Sequence, residues 1–161
     1  MAGLDAFADV LDYPMYVVTT AAGGERAGCL VGFASQCSID PPRFMVWLST
    51  ANRTYRVACH ASHLAVHALR HDQRRTAELF GGRTGDELDK FDRVAWSPGA
   101  DGVPVLSDCR AWFVGRVRGR VDGGDHVGFL LVPVTESPPG SVRPPLLRFS
   151  DVVDLSPGHP A

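Results

Sequence analysis

Residues 109–121 and 127–135 are two long runs of strand-forming residues separated only by Asp122-Gly123-Gly124-Asp125-His126. Glycines at the centre of a short polar connection supply the dihedrals that a tight antiparallel reversal needs. The two runs therefore read as neighbouring antiparallel strands. Strands of this length need further strands to bury a face, which points the chain towards a mainly β architecture. Arginines at 110, 116, 118 and 120 mark a solvated face, and the turn holds His126 at the rim.

The same grammar recurs upstream. Residues 15–20, Met15-Tyr16-Val17-Val18-Thr19-Thr20, are β-branched and aromatic, and residues 21–26 bring turn chemistry before a second apolar run at 29–33. Residues 43–48 are a further strand, joined to 29–33 by Ser35-Gln36-Cys37-Ser38-Ile39-Asp40 and the rigid Pro41-Pro42 pair, which read as a polar turn. Residues 102–106 turn into another strand. Residues 136–145 form a proline-rich loop, and 146–149 are the last ordered segment before a polar tail at 150–161. Helical spacing predicts a short helix over 5–11 packed on the body, one over 72–80 with Asp72 as N-cap and Gly81-Gly82 beyond its end, and a helical turn over 84–91 exposing Asp86, Glu87 and Asp89. At least six strands with a few short helices make an antiparallel barrel.

Residues 60–71 admit two readings. On one helix His60, His63, His67 and His71 would form a stripe with the i, i+4 spacing of zinc helices. Alternation of Leu64, Val66 and Ala68 with Ala65, His67 and Leu69 suits a strand, which would hold His63 and His67 roughly 13 Å apart, too far for one metal. The strand is preferred and no metal site is expected. Cys29, Cys37, Cys59 and Cys109 form no CxxC pair and read as reduced thiols, all but Cys37 as small core residues.

The 161 residues suffice for one domain spanning the chain. A net charge of −2 with 45% apolar and 21% charged residues suggests neither disorder nor a nucleic-acid surface. An acidic N-terminal stretch and the lack of any apolar run near ~20 residues predict a cytoplasmic protein without a membrane span.

Two stretches have the chemistry to hold a phosphorylated ligand. Ser49-Thr50-Ala51-Asn52-Arg53-Thr54 is a cluster of hydroxyls, one amide and one guanidinium ahead of a helix-compatible segment, whose opening would aim free N–H groups at an anion. Lys90-Phe91 sets a cation beside a ring that could pack on a planar cofactor. On spacing alone the preferred reading is a solvated charge next to a core anchor.

Taken in order, YPMYVVTT, SIDPP, STANRT, DKF, GVPVL, GGDH and PPLLRF resemble the flavin reductase-like family of FMN-binding split barrels over nearly the whole chain. The resemblance implies a six-stranded Greek-key split barrel that forms a homodimer and holds FMN or FAD in a groove at the dimer interface. NADH or NADPH would be the hydride donor. It implies an NAD(P)H:flavin oxidoreductase, the small component that supplies reduced flavin to a separate monooxygenase. The alternatives are a flavoprotein that keeps its FMN and passes electrons to another acceptor, and a flavin-binding module without turnover. By the same resemblance Ser35, Gln36, Cys37 and Ser38 contact the flavin ring edge, and Ser49, Thr50, Asn52, Arg53 and Thr54 form the phosphate loop. Lys90 and Phe91 lie near the flavin tail, and His126 lies near the nicotinamide. Departures are Val31-Gly32-Phe33, where many relatives have an asparagine-serine pair, and the cysteine at 37. No GxGxxG fingerprint is present, so the nicotinamide is expected to bind weakly and transiently.

Overall fold

The computed structural model of the chain describes residues 2–82 and 89–155. Its strands are β1 (Tyr16–Ala22), β2 (Glu25–Val31), β3 (Ala34–Ser38), β4 (Arg43–Ser49), β5 (His63–Ala68), β6 (Trp96–Pro98), β7 (Pro104–Leu106), β8 (Ala111–Asp122) and β9 (His126–Glu136). Among the described residues, seven of them make one antiparallel sheet in the order β2-β1-β5-β8-β9-β4-β3, and β6 and β7 pair separately. The sheet curls until β2 packs against β4. Register shifts in β8–β9 at Val114/Gly115 and Val117/Gly119 add the local bend that such curling requires.

The central strands are apolar on both faces, which is why their runs are continuous rather than alternating. Val18 of β1 and Leu64 and Val66 of β5 point into the curl with Val46, Leu48, Phe129 and Leu131. Val17 faces the other way, against Leu69, Phe80, Phe91, Leu106 and Leu147. The β1–β2 hairpin closes in two residues, Gly23 and Gly24, at φ 58° and 81°, values that only glycine adopts without strain.

The sheet has seven strands, not six, because residues 35–38 are not a turn. They belong to β3, an edge strand registered on β4 as Ala34↔Val46, Ser35↔Met45 and Gln36↔Phe44. Ser35, Gln36 and Cys37 are exposed, so this strand lacks the apolar alternation that betrays a half-buried one. The reversal itself is confined to residues 39–42.

Among the described residues the helices are α1 (Asp5–Ala8), α2 (Arg53–Ala58) and α3 (Arg74–Gly82). The N-terminal helix is shorter than expected and is not packed on the body. Leu4, Phe7 and Val10 are exposed, since a single turn presents too little apolar stripe to anchor itself. α3 begins later than predicted, its first helical bond running from Ala77 N–H to Gln73 O, and the Asp72 carboxylate pairs with Arg70 Nε at 3.1 Å instead of capping it. Both Gly81 and Gly82 fall inside α3 rather than beyond it. Residues 84–88 of the predicted helical turn lie outside the described residues. Lys90–Asp92 form a 3₁₀ turn whose first free N–H, that of Phe91, is capped by Asp89 at 3.0 Å.

Residues 150–155 are not a loose tail. Val152 is buried, and Arg74 holds both Asp154 carboxylate oxygens at 3.0 Å. No helix among the described residues is long and apolar enough to cross a membrane.

The strand reading of residues 63–68 holds, and it accounts for His67. The ring is fully buried; Nδ1–H donates to Val17 O at 2.9 Å and Nε2 accepts the Leu106 N–H at 3.0 Å. His67 thereby fastens the β6–β7 pair to the sheet. Burial pushes its pKa down to about 4, so it stays neutral. His63 belongs to a separate surface cluster in which Ser62 Oγ–H donates to Asp101 and lies 2.8 Å from His63 Nδ1. Cys29 and Cys109 are buried free thiols, Cys59 is half-buried, and Cys37 is exposed on the β3 edge.

Candidate functional site

The loop between β4 and α2 folds around its own polar side chains. Asn52, extended at ψ 139°, caps α2 by accepting the Thr54 N–H on Oδ1 at 3.0 Å. Ser49 Oγ accepts the Ala51 N–H at 3.3 Å. Thr50 bonds the Asp125 carbonyl twice, through N–H at 2.9 Å and Oγ–H at 3.1 Å. This ties the loop to the β8–β9 turn and sets His126 opposite Ser49 in the ladder.

On one side of the loop lies a cavity of about 310 Å³. Among the described residues its cations are Arg26, Arg53 and Lys90, and its carboxylates are Glu25 and Asp89. Arg53 Nη1–H donates to Arg26 O at 2.9 Å and Nη2–H to Glu25 Oε2 at 3.0 Å. Arg26 stands 4.9 Å over the Trp96 ring and pairs with Asp89 at 3.5 Å. Lys90 is neither solvated nor extended towards solvent. Its Nζ is buried and donates to Gly28 O at 3.1 Å and Phe80 O at 3.0 Å. Burial lowers the Lys90 pKa, and the nearby Arg53 charge lowers it further. Phe91 is a core residue, edge-on to Phe80 and Trp96.

On the other side lies an aromatic cleft of about 180 Å³ whose walls include Tyr13, Phe33, Trp47, His126 and Phe149. Tyr13 stacks on Phe149 at 5.1 Å, and Phe33 lies 5.1 Å from the His126 ring. Gly32 admits Tyr13 here, since a Cβ at this position would sit 2.4 Å from its ring. The His126 Nδ1–H donates to Asp125 Oδ1 at 2.7 Å, which fixes the ring. Phe149 is positioned by the C-terminal strap: its N–H reaches Tyr13 O at 2.9 Å, and Ser150 donates from N–H and Oγ–H to the Asp12 carboxylate, each at 2.8 Å. Those two bonds hold the Asp12 carboxyl below its ordinary range.

Asn52 lines both cavities, so the basic cavity and the aromatic cleft adjoin at this residue and together make the candidate groove. The side chains fit a phosphorylated flavin: the cations suit a phosphate, and facing rings suit a flat tricycle. Of the residues selected from sequence, Asn52, Arg53, Thr54, Lys90 and Phe91 line the basic end, and Ser49, Asn52 and His126 the aromatic end. Thr50 bridges loop and turn. Ser35, Gln36, Cys37 and Ser38 lie on the β3 edge and line neither cavity. Sequence reasoning missed Glu25 and Arg26, and it missed Tyr13, Trp47 and Phe149 as walls, because aromatics on strands and loops read first as core.

The flavin reductase like domain matches residues 9–150, which include every residue of the groove. The chain belongs to the flavin reductase-like family. Among its relatives, the FMN reductase (NADH) RutF of Bradyrhizobium diazoefficiens is 31% identical over 110 residues, covering 68% of this chain and 61% of that protein. The reductase subunit of stachydrine N-demethylase from Rhizobium meliloti (strain 1021) is 29% identical over 114 residues, covering 68% of this chain and 48% of its own. The chain thus spans about half to three fifths of the length of these two curated relatives. The crystal structure of nitrilotriacetate monooxygenase component B from Mycobacterium thermoresistibile superposes with a TM-score of 0.79 at 23% identity, covering 88% of this chain and 78% of that one, and shares its fold. In this flavin reductase-like chain the basic cavity and the aromatic cleft are both lined by residues of the one chain.

Proposed function

We propose that this chain is a single-domain NAD(P)H-dependent flavin reductase on a split barrel, taking FMN or FAD as flavin and NADH or NADPH as donor. The observation that carries the reading is a basic cavity and an aromatic cleft that adjoin at Asn52. When both nucleotides are bound, hydride passes from nicotinamide C4 to flavin N5, a step that asks the protein to align two rings rather than to supply a nucleophile. Asn52, Arg53 and Thr54 hold the flavin phosphate, with the buried Lys90 charge reinforcing the field. Tyr13, Trp47 and Phe149 hold the ring and exclude water from one face. His126, fixed by Asp125, orients the nicotinamide at the other. Ser35, Gln36, Cys37 and Ser38 stand apart from this groove and are proposed to meet a flavin across the homodimer interface.

The relative named as the reductase component of a flavin-dependent trigonelline monooxygenase favours a role in handing reduced flavin to a separate monooxygenase. Purified protein is expected to oxidise NADH or NADPH in proportion to added free flavin. NADH and NADPH consumption that ignores added flavin contradicts the reading, and tight yellow colour without turnover favours a flavin-retaining carrier instead. His126→Ala should lower turnover on the order of tenfold with flavin affinity nearly intact. Loss of flavin binding in that variant would contradict the role given to His126.

A further inference from the structure

We propose that the Glu25 carboxylate is a built-in competitor for the flavin phosphate, holding Arg53 until ligand arrives and weakening retention of phosphorylated flavins. The inference rests on the reading of the basic cavity as the phosphate site.

Glu25 opens β2 directly after the Gly23-Gly24 turn, paired across the hairpin with Ala22. Its side chain is 63% exposed, yet Oε2 lies 3.0 Å from Arg53 Nη2. The arginine is far less exposed, at 23%, and its other terminal nitrogen is fixed on the Arg26 carbonyl. The guanidinium is thus held in place while the carboxylate reaches in from solvent. A phosphate approaching Arg53 meets that carboxylate at the position its own oxygens would take.

The surroundings let Glu25 yield. It also lines a second cavity of about 480 Å³, on the far side of Arg53, together with Arg56 and His60. The carboxylate can swing there and still face a cation. Asp89, which also lines the basic cavity, has a different task, since it caps the Phe91 N–H at 3.0 Å as well as pairing with Arg26. Glu25 sits at a hairpin corner where glutamine fits without disturbing a cap.

The consequence is kinetic as well as thermodynamic. A reductase that hands its product on needs the flavin to leave, and a negative side chain beside a dianion shortens its stay. Removing that charge is expected to tighten binding about tenfold at low salt, by direct Coulomb interaction at near-contact distance in a partly solvated site.

The test is fluorescence titration of FMN and riboflavin into the wild type, Glu25→Gln and Arg53→Ala. Glu25→Gln should bind FMN about tenfold more tightly and release it more slowly, with riboflavin, which lacks the phosphate, within about twofold of wild type. The FMN gain should shrink in about 0.5 M salt. Unchanged or weakened FMN binding in Glu25→Gln, while Arg53→Ala still weakens FMN, overturns the proposal alone. Equal tightening of riboflavin also overturns it, because the change would not concern phosphate. If Arg53→Ala leaves FMN binding untouched, the cavity is not the phosphate site, and the underlying reading fails together with the proposal.

Discussion

His67→Ala is expected to destabilise the fold by about 3–5 kcal/mol, combining the lost side-chain volume with a Leu106 N–H left without its acceptor. The ring is fully buried and bridges Val17 and Leu106, so no neighbour replaces it at small cost. The same residue gives the protein an acid limit. Its folded pKa of about 4 lies below the unfolded value of 6.5, so the unfolded chain binds a proton before the folded one does. Stability from His67 is therefore complete above the unfolded pKa and is lost as pH falls towards the folded one, about 2 kcal/mol of it between roughly pH 7 and pH 5. Urea titrations at those two pH values check both statements. The variant should be less stable at neutral pH and show a shallower fall with acid. A variant as stable as wild type would mean that β6 and β7 are held by other contacts.

Arg53→Ala should weaken FMN binding by about 30–100-fold, with riboflavin much less affected, as expected for removing charge-assisted hydrogen bonds to a phosphate. The loss has two parts. One is the missing guanidinium, and the other is Glu25, which loses its Arg53 partner and leaves its negative charge beside the phosphate. The double variant Glu25→Gln with Arg53→Ala should recover part of the affinity. Full recovery would reveal repulsion rather than attraction as the main effect. Isothermal titration with FMN and riboflavin separates these outcomes.

Much of the fold was legible because its strong signals are local. The glycine turns at 23–24 and 123–124, the apolar runs of β1 and β5, and the helix that opens after the 49–54 cluster each follow from a few neighbouring residues. β3 was hidden for the opposite reason: its side chains face solvent and its pairing is backbone alone, so Ser35 to Ser38 have the composition of a turn. The N-terminal apolar spacing overstated α1, since periodicity reports what a helix would bury and not whether a surface is there to receive it. In the site, the 49–54 loop and His126 were readable as polar residues concentrated at strand ends. The aromatic walls were not, because Tyr13, Trp47 and Phe149 come from three distant segments and converge only through the curl of the sheet and the Asp12–Ser150 clasp. Lys90 was half legible. Its identity was noticed, but its two carbonyl partners on Gly28 and Phe80 depend on tertiary contact.

A structure of the protein with FMN bound tests the central claim most directly. The phosphate is expected within hydrogen-bond distance of the Arg53 guanidinium, with the ring in the cleft bounded by Tyr13, Trp47 and His126. A phosphate found elsewhere, with the basic cavity holding only its own ion pairs, would contradict it.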